Sequence, residues 1–109
     1  MKRDPVLQLL GLAQRAGYVK SGEFMTEGAI KEGRSFLCIV ATDASDNTRK
    51  RFKDMCDYHK VPYAEYTDKE SLGHAIGKEF RASLCVVDAN LAQQIRSKID
   101  ECAALEKRR

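Results

Sequence analysis

Three of the eight aspartates, both histidines and all four cysteines are the first candidates for reaction chemistry in this sequence. Asp43, Asp46 and Asp88 each follow an apolar run, where α/β chains place ligand sites at strand ends. A carboxylate there can hold magnesium or accept a phosphoryl group, but aspartate also caps the next helix at the same position. The glycines supply no nucleotide fingerprint: Gly11 and Gly17, then Gly73 and Gly77, fit neither G-x-G-x-x-G nor a P-loop. His59 and His74 have no nucleophile close by in sequence and read as surface histidines. Cys38, Cys56, Cys85 and Cys102 stand far apart without a C-x-x-C pair, whereas metal sites use close-set ligands. Cys38 and Cys85 lie inside apolar runs and read as reduced, small hydrophobes. The expectation is a protein with no catalytic residues, no metal and no cofactor.

The basic residues point elsewhere. Lys20-Ser21-Gly22 stands where a helix begins, and a helix N-terminus offers unpaired N–H groups and a positive dipole end. Gly22 lets a phosphate approach closely. Lys31 and Arg34 come near that helix's other end, Arg49, Lys50, Arg51 and Lys53 decorate the next helix, and Lys107-Arg108-Arg109 form a basic tail. Each of these taken singly is an ordinary solvated face, because acidic residues are interspersed. A net charge of +3 permits nucleic-acid binding without demanding it.

The elements that must position these residues follow from periodicity. Asp4-Pro5 is an N-cap followed by proline at the first helical position; Val6, Leu7, Leu10, Ala13 and Ala16 repeat at helical spacing up to Gly17. Tyr18-Val19-Lys20 is a strand fragment. A second helix opens at Ser21-Gly22-Glu23, with Met25, Ala29 and Ile30 on one face and Gly33 after it. The apolar runs Phe36–Ala41 and Ala82–Val87 are strands covered on both faces. Ser45 or Asp46 caps a helix striped by Phe52, Met55 and Cys56; Val61–Tyr66 is a strand that Pro62 confines to its start or an edge. Asp68 caps a short helix ending at Gly77, and Asp88 or Asn90 caps the last, striped by Leu91, Ile95, Ile99 and Cys102.

This alternation predicts a three-layer α/β/α sandwich around a central mixed sheet of about four strands. With 109 residues, the chain reads as a single domain, 1–109, whose core spans about 4–100. No apolar run approaches the ~20 residues of a membrane helix. The first residues make a poor signal-peptide core, so a cytoplasmic protein is expected; the sequence does not fix the oligomeric state, and a monomer is the expectation.

Several stretches resemble the kink-turn-binding ribosomal protein superfamily, of the large-subunit seven-Ae and thirty-e type, and within it the small bacterial YlxQ branch. They are Leu9-Leu10-Gly11-Leu12-Ala13-Gln14-Arg15-Ala16-Gly17, Val19-Lys20-Ser21-Gly22-Glu23 and Thr42-Asp43-Ala44-Ser45-Asp46-Asn47-Thr48, then Lys60-Val61-Pro62-Tyr63 and Leu72-Gly73-His74-Ala75-Ile76-Gly77-Lys78. The likeness runs from about Asp4 to Ile99, and its order and spacing are more specific than any one piece. It implies the same sandwich and a role in binding sharply bent RNA. In such proteins a Gly-x-Asn-Glu-x-x-Lys motif opening the second helix reads tandem sheared G·A pairs, and a loop holds an extruded base. By the resemblance that loop follows the last strand, here Val87-Asp88-Ala89-Asn90. Aligned on Gly22, the motif's Asn, Glu and Lys positions hold Phe24, Met25 and Gly28. Phenylalanine and methionine cannot form the hydrogen bonds that read a G·A edge, and Gly28 lacks a cation for phosphate. Two readings of Phe24 stand: stacking on a base, or packing in the core beside Met25.

The functional expectation is a non-catalytic protein that binds structured RNA, ribosomal or kink-turn-like. Lys20, Ser21, Gly22, Phe24 and Met25 form the contact, Lys31 and Arg34 anchor phosphates, and Asp88, Ala89 and Asn90 flank a displaced base. Ribosomal or translation proteins are further partners. One alternative is a protein-interaction module of the translation machinery that kept the fold and lost kink-turn recognition. Another is a phosphoacceptor enzyme built on Asp43 or Asp88.

Overall fold

The computed structural model describes residues 4–107. Met1–Arg3 and the last two residues of the basic tail, Arg108 and Arg109, lie outside the described residues. Nine elements follow in order: α1 (Pro5–Arg15), β1 (Val19–Ser21), α2 (Glu23–Lys31), β2 (Leu37–Val40), α3 (Asp46–His59), β3 (Tyr63–Glu65), α4 (Lys69–Ala75), β4 (Ser83–Val86) and α5 (Ala89–Lys107).

Local chemistry sets most of the boundaries. The Asp4 carboxylate accepts the N–H groups of Val6 and Leu7 to start α1, with Pro5 at its first position. Ser45 accepts Thr48 N–H at α3, Asp68 accepts Ser71 N–H at α4, and Asp88 accepts Leu91 N–H at α5. Each such cap stabilises its helix by about 1 kcal/mol. Of the paired alternatives in the sequence, Ser45 rather than Asp46 caps α3, and Asp88 rather than Asn90 caps α5.

The four strands form one mixed sheet in the order β1-β4-β2-β3. β4 runs antiparallel to both neighbours, with Val19 opposite Val86 and Ser21 opposite Leu84 on one side, and Leu37 opposite Val86 on the other. β2 and β3 are parallel. The two most apolar strands, β2 and β4, hold the centre and are buried throughout, the β4 residue Ser83 included. β3, preceded by Pro62, is an edge. Alternation divides the side chains between two cores. Leu37, Ile39, Leu84 and Val86 pack with Val6 and Leu10 of α1, Leu72 of α4 and Ile95 of α5. Cys38 and Val40 face Ile30 of α2 and Phe52 and Cys56 of α3. Helices therefore cover both faces, as the alternation predicted. Each large side chain removed from water in these layers contributes roughly 1.5–3 kcal/mol.

The inner face of α2 departs from expectation. Thr26, Ala29 and Ile30 are buried, while Met25 is 44% exposed. The i, i+3, i+4 spacing selects Thr26, and its hydroxyl lies 3.5 Å from Ser83 Oγ, so a polar group occupies the core with a partner. Of the two readings of Phe24, core packing beside Met25 does not occur: Phe24 is 83% exposed.

Candidate nucleic-acid interface

β1 is an edge strand that delivers the chain directly into α2. Lys20 pairs with Cys85 in the register, and Ser21 with Leu84. Gly22 is the N-cap of α2 and has φ 88° and ψ 160°, a region open in practice to glycine alone. Its N–H donates to the Ser83 carbonyl at 3.0 Å, which ties the start of α2 to the start of β4. Nothing lies within 4 Å of where a Cβ would be. Gly22 is thus needed for its backbone conformation, and it also leaves the approach open.

Gly22 gives α2 no side-chain cap. The first N–H groups of a helix have no partner inside it, so those of Glu23, Phe24 and Met25 face outward together with the dipole's positive end. Glu23 brings a carboxylate to the same turn. Arg51 of α3 neutralises it, pairing with both Glu23 and Glu27 while its guanidinium lies 5.4 Å from the centre of the Phe52 ring. Among the described residues Lys20 has no ion-pair partner and remains available to an anion. Two other cations of α3 are less free: Arg49 pairs with Asp46 and Glu65, and Lys50 with Asp54.

The neighbour of this helix start is the loop between α4 and β4. Arg81 donates from Nε to Ser21 Oγ at 3.2 Å and from Nη1 to the Phe80 carbonyl, and its own N–H reaches the Lys69 carbonyl. Phe80 is 60% exposed. Lys78, Phe80 and Arg81 are therefore candidate contact residues that sequence reasoning missed. The signal was present: an aromatic set among cations, in the loop after a helix-ending glycine. The loop's position is fixed by α4, because a Cβ on Gly73 would lie 2.4 Å from the Glu79 carbonyl oxygen.

The remaining expected site residues gather at the other end of the sheet. Asp88, Ala89 and Asn90 follow the last residue of β4, next to Val19 and to Phe36, whose N–H donates to the Val86 carbonyl. Asp88 spends its carboxylate on the cap of α5. Lys31 and Arg34 sit at the C-terminal end of α2 and pair with Glu27 and Glu32, at 3.9 and 3.1 Å. The structure brings Lys20, Ser21, Gly22, Phe24 and Met25 together, and it does not bring Lys31, Arg34 or Asp88–Asn90 to them. Among the described residues no three of the His, Cys, Asp and Glu side chains converge as metal ligands. Among the described residues no helix is long and apolar enough to cross a membrane.

The chain as a whole is similar to several known proteins. The RNA-binding protein YlxQ of Bacillus subtilis (strain 168) is 42% identical over 92 residues, covering 84% of this chain and 92% of its own. A solved protein of unknown function from Bacillus halodurans C superposes with a TM-score of 0.87 at 34% identity, over 90% of this chain and 99% of that one. The Giardia lamblia 15.5kD RNA binding protein shares the fold, with a TM-score of 0.74 at 20% identity, over 88% of this chain and 85% of its own. The model of the ribosomal protein L7Ae/L30e/S12e/Gadd45 family matches residues 4–96, and the chain belongs to that family.

Proposed function

We propose that this protein is a non-catalytic RNA-binding protein that engages structured RNA through the start of α2 and the adjoining α4–β4 loop. One observation carries the reading: the uncapped α2 N-terminus stands beside an unpaired Lys20, an outward-facing Phe24 and the Ser21-bound Arg81. Backbone N–H groups and cations suit phosphate oxygens, and an exposed ring suits an unstacked base. Family membership and the 42% identical RNA-binding relative support the same assignment.

Recognition differs in kind from the G·A-reading motif of the wider family. Phe24 and Met25 are exposed at the positions of its Asn and Glu, and nothing lies within 4 Å of a Cβ at Gly28, the position of its Lys. Losing two base-edge contacts of ~1–3 kcal/mol each weakens discrimination between sequences by orders of magnitude. Shape, phosphate contacts and stacking carry the binding instead, and the target is a bent or looped RNA, ribosomal or kink-turn-like.

Fluorescence anisotropy with a kink-turn RNA and a plain duplex over a salt series tests this. Affinity should fall steeply with salt for the kink-turn RNA, and Lys20→Ala should lower the slope by about 0.9 for one phosphate contact. An absence of binding to any structured RNA at low salt discards the proposal. The exposure of Phe24 and Met25 also fits a second reading, in which they anchor a protein partner in the translation machinery. That reading gains if Phe24→Ala abolishes capture of ribosomal proteins and RNA affinity is absent throughout.

A further inference from the structure

A groove of about 510 Å3 opens at the end of the molecule away from Gly22, between the turn after α2, the C-terminal end of α3 and the first turns of α5. Its walls include Phe36, His59, Lys60, Pro62, Gln93 and Arg96, and no aspartate or glutamate is among its lining residues. Lys60 and Arg96 have no ion-pair partner among the described residues, unlike most cations of α3. Nearby carboxylates are engaged or set apart. Glu32 pairs with Arg34, Asp88 caps α5, and Asp100 lines the smaller adjoining cleft with Arg96. Phe36 precedes β2 and is 45% exposed, an aromatic face that the fold leaves uncovered. The volume falls within the range of small-ligand clefts.

We propose that this groove is a second RNA site, holding a nucleotide of a single-stranded segment with its base against Phe36 and its phosphate between Lys60 and Arg96. The charge is complementary to a polynucleotide, and the exposed ring next to two unpaired cations is the pairing by which single strands are held without sequence preference. Gln93 and Ser35 add polar groups along the wall. The N-terminus of α5 takes no part, because Asp88 already caps it. An acidic peptide would satisfy the cations and leave Phe36 unused, so RNA fits the whole surface better. β4 separates the two ends: Gly22 meets Ser83 at its start, and Phe36 meets Val86 at its finish, some ~10 Å along the strand. One protein molecule can then hold a structured RNA at one end and an unpaired strand at the other.

The test uses fluorescein-labelled oligouridine and the full chain. Wild-type protein should bind it, and saturating unlabelled kink-turn RNA should leave it bound. Lys60→Gln/Arg96→Gln should weaken binding about tenfold or more and lower the salt slope by about 0.7, the value for one single-strand phosphate contact. Phe36→Leu, which keeps apolar bulk, should weaken it about fivefold, and Lys53→Ala on the outer face of α3 should change nothing. Amide shifts should gather at Gly33, Ala89 and Gln93. Three results would overturn the proposal, whatever happens with the kink-turn probe. They are no oligouridine binding at low salt, shifts confined to Gly22–Met25, or tighter binding of a polyglutamate peptide at the same groove.

Discussion

Gly73 tests how the candidate RNA surface is built. It lies inside α4, and an alanine Cβ there would stand 2.4 Å from the Glu79 carbonyl oxygen, 2.8 Å from its carbon and 3.0 Å from Phe80 N. All three are backbone atoms, so no rotamer change relieves the clash, and the loop must retreat by about 1 Å to reach ordinary contact. Overpacking of this kind costs about 1–3 kcal/mol, against which alanine's better helix propensity recovers about 1 kcal/mol. The same retreat pulls on the Arg81 bonds to the Lys69 carbonyl at 3.1 Å and to Ser21 Oγ at 3.2 Å, and losing either adds about 1 kcal/mol. A net loss of about 1–3 kcal/mol is expected for Gly73→Ala, a fall in Tm of about 4–12 °C. Gly28→Ala is the control: it is also helical, nothing lies within 4 Å, and it should gain about 1 kcal/mol. Thermal melting followed by circular dichroism gives both values, and anisotropy with kink-turn RNA should show Gly73→Ala weakened about tenfold as Arg81 loses its place. If Gly73→Ala melts at or above the wild type, the loop is not wedged against α4 and the reasoning fails.

Phe24→Ala should leave stability within about 0.5 kcal/mol, because the ring is exposed, while RNA affinity drops by about 1–3 kcal/mol through lost stacking. A large fall in Tm would show that the ring packs after all. Tyr66 donates to Asp4 Oδ2 at 2.6 Å, and burial, then this bond, hold its phenol protonated well above the ordinary range. An unfolded tyrosine ionises near ~10, so unfolding above that pH releases a proton. This contribution is complete below pH ~10 and is lost as pH rises toward the folded value. Denaturant midpoints should therefore decline above pH ~10, and Tyr66→Phe should flatten the decline; an identical pH dependence refutes the assignment. Thiol labelling of the native protein should modify Cys102 alone at first. Cys38, Cys56 and Cys85 are buried, the Cys38 thiol is held up by its hydrogen bond with Cys56 and by burial, and Cys85 is pushed up to about 11, chiefly by burial. Rapid labelling of more than one thiol without denaturant would contradict the packing.

Features set by local chemistry were legible in the sequence. Asp4-Pro5, Ser45, Asp68 and Asp88 each cap a helix because a side-chain oxygen reaches an N–H only two or three residues on. The unbroken apolar character of Leu37–Val40, and of Leu84–Val86 after Ser83, announced burial on both faces, since no polar side appears at every second position. The inner face of α2 was harder. In a helix of nine residues an apolar Met25 outweighs Thr26 by hydropathy, and only the Ser83 hydroxyl across the interface makes threonine acceptable inside.

The candidate site was half legible, and the direction of β4 explains which half. Lys20, Ser21, Gly22 and Phe24 are contiguous, so their proximity needs no tertiary information. The choice of neighbouring loop does. Had β4 run parallel to β1, the residues leaving it, Val87–Asn90, would have emerged beside Gly22. In the antiparallel register, with Ser21 opposite Leu84, the residues entering β4 occupy that place, and the chain before Ser83 supplies Arg81, Phe80 and Lys78. The residues leaving β4 are carried to the far end, where they join Phe36, Lys60 and Arg96. Strand direction leaves no mark on the hydrophobic pattern of four buried residues. The antiparallel β1–β4 pairing thus sets Phe24, Phe80 and Arg81 at one end of the sheet and Phe36, Lys60 and Arg96 at the other, so substitutions at one end should leave the ligand of the other in place.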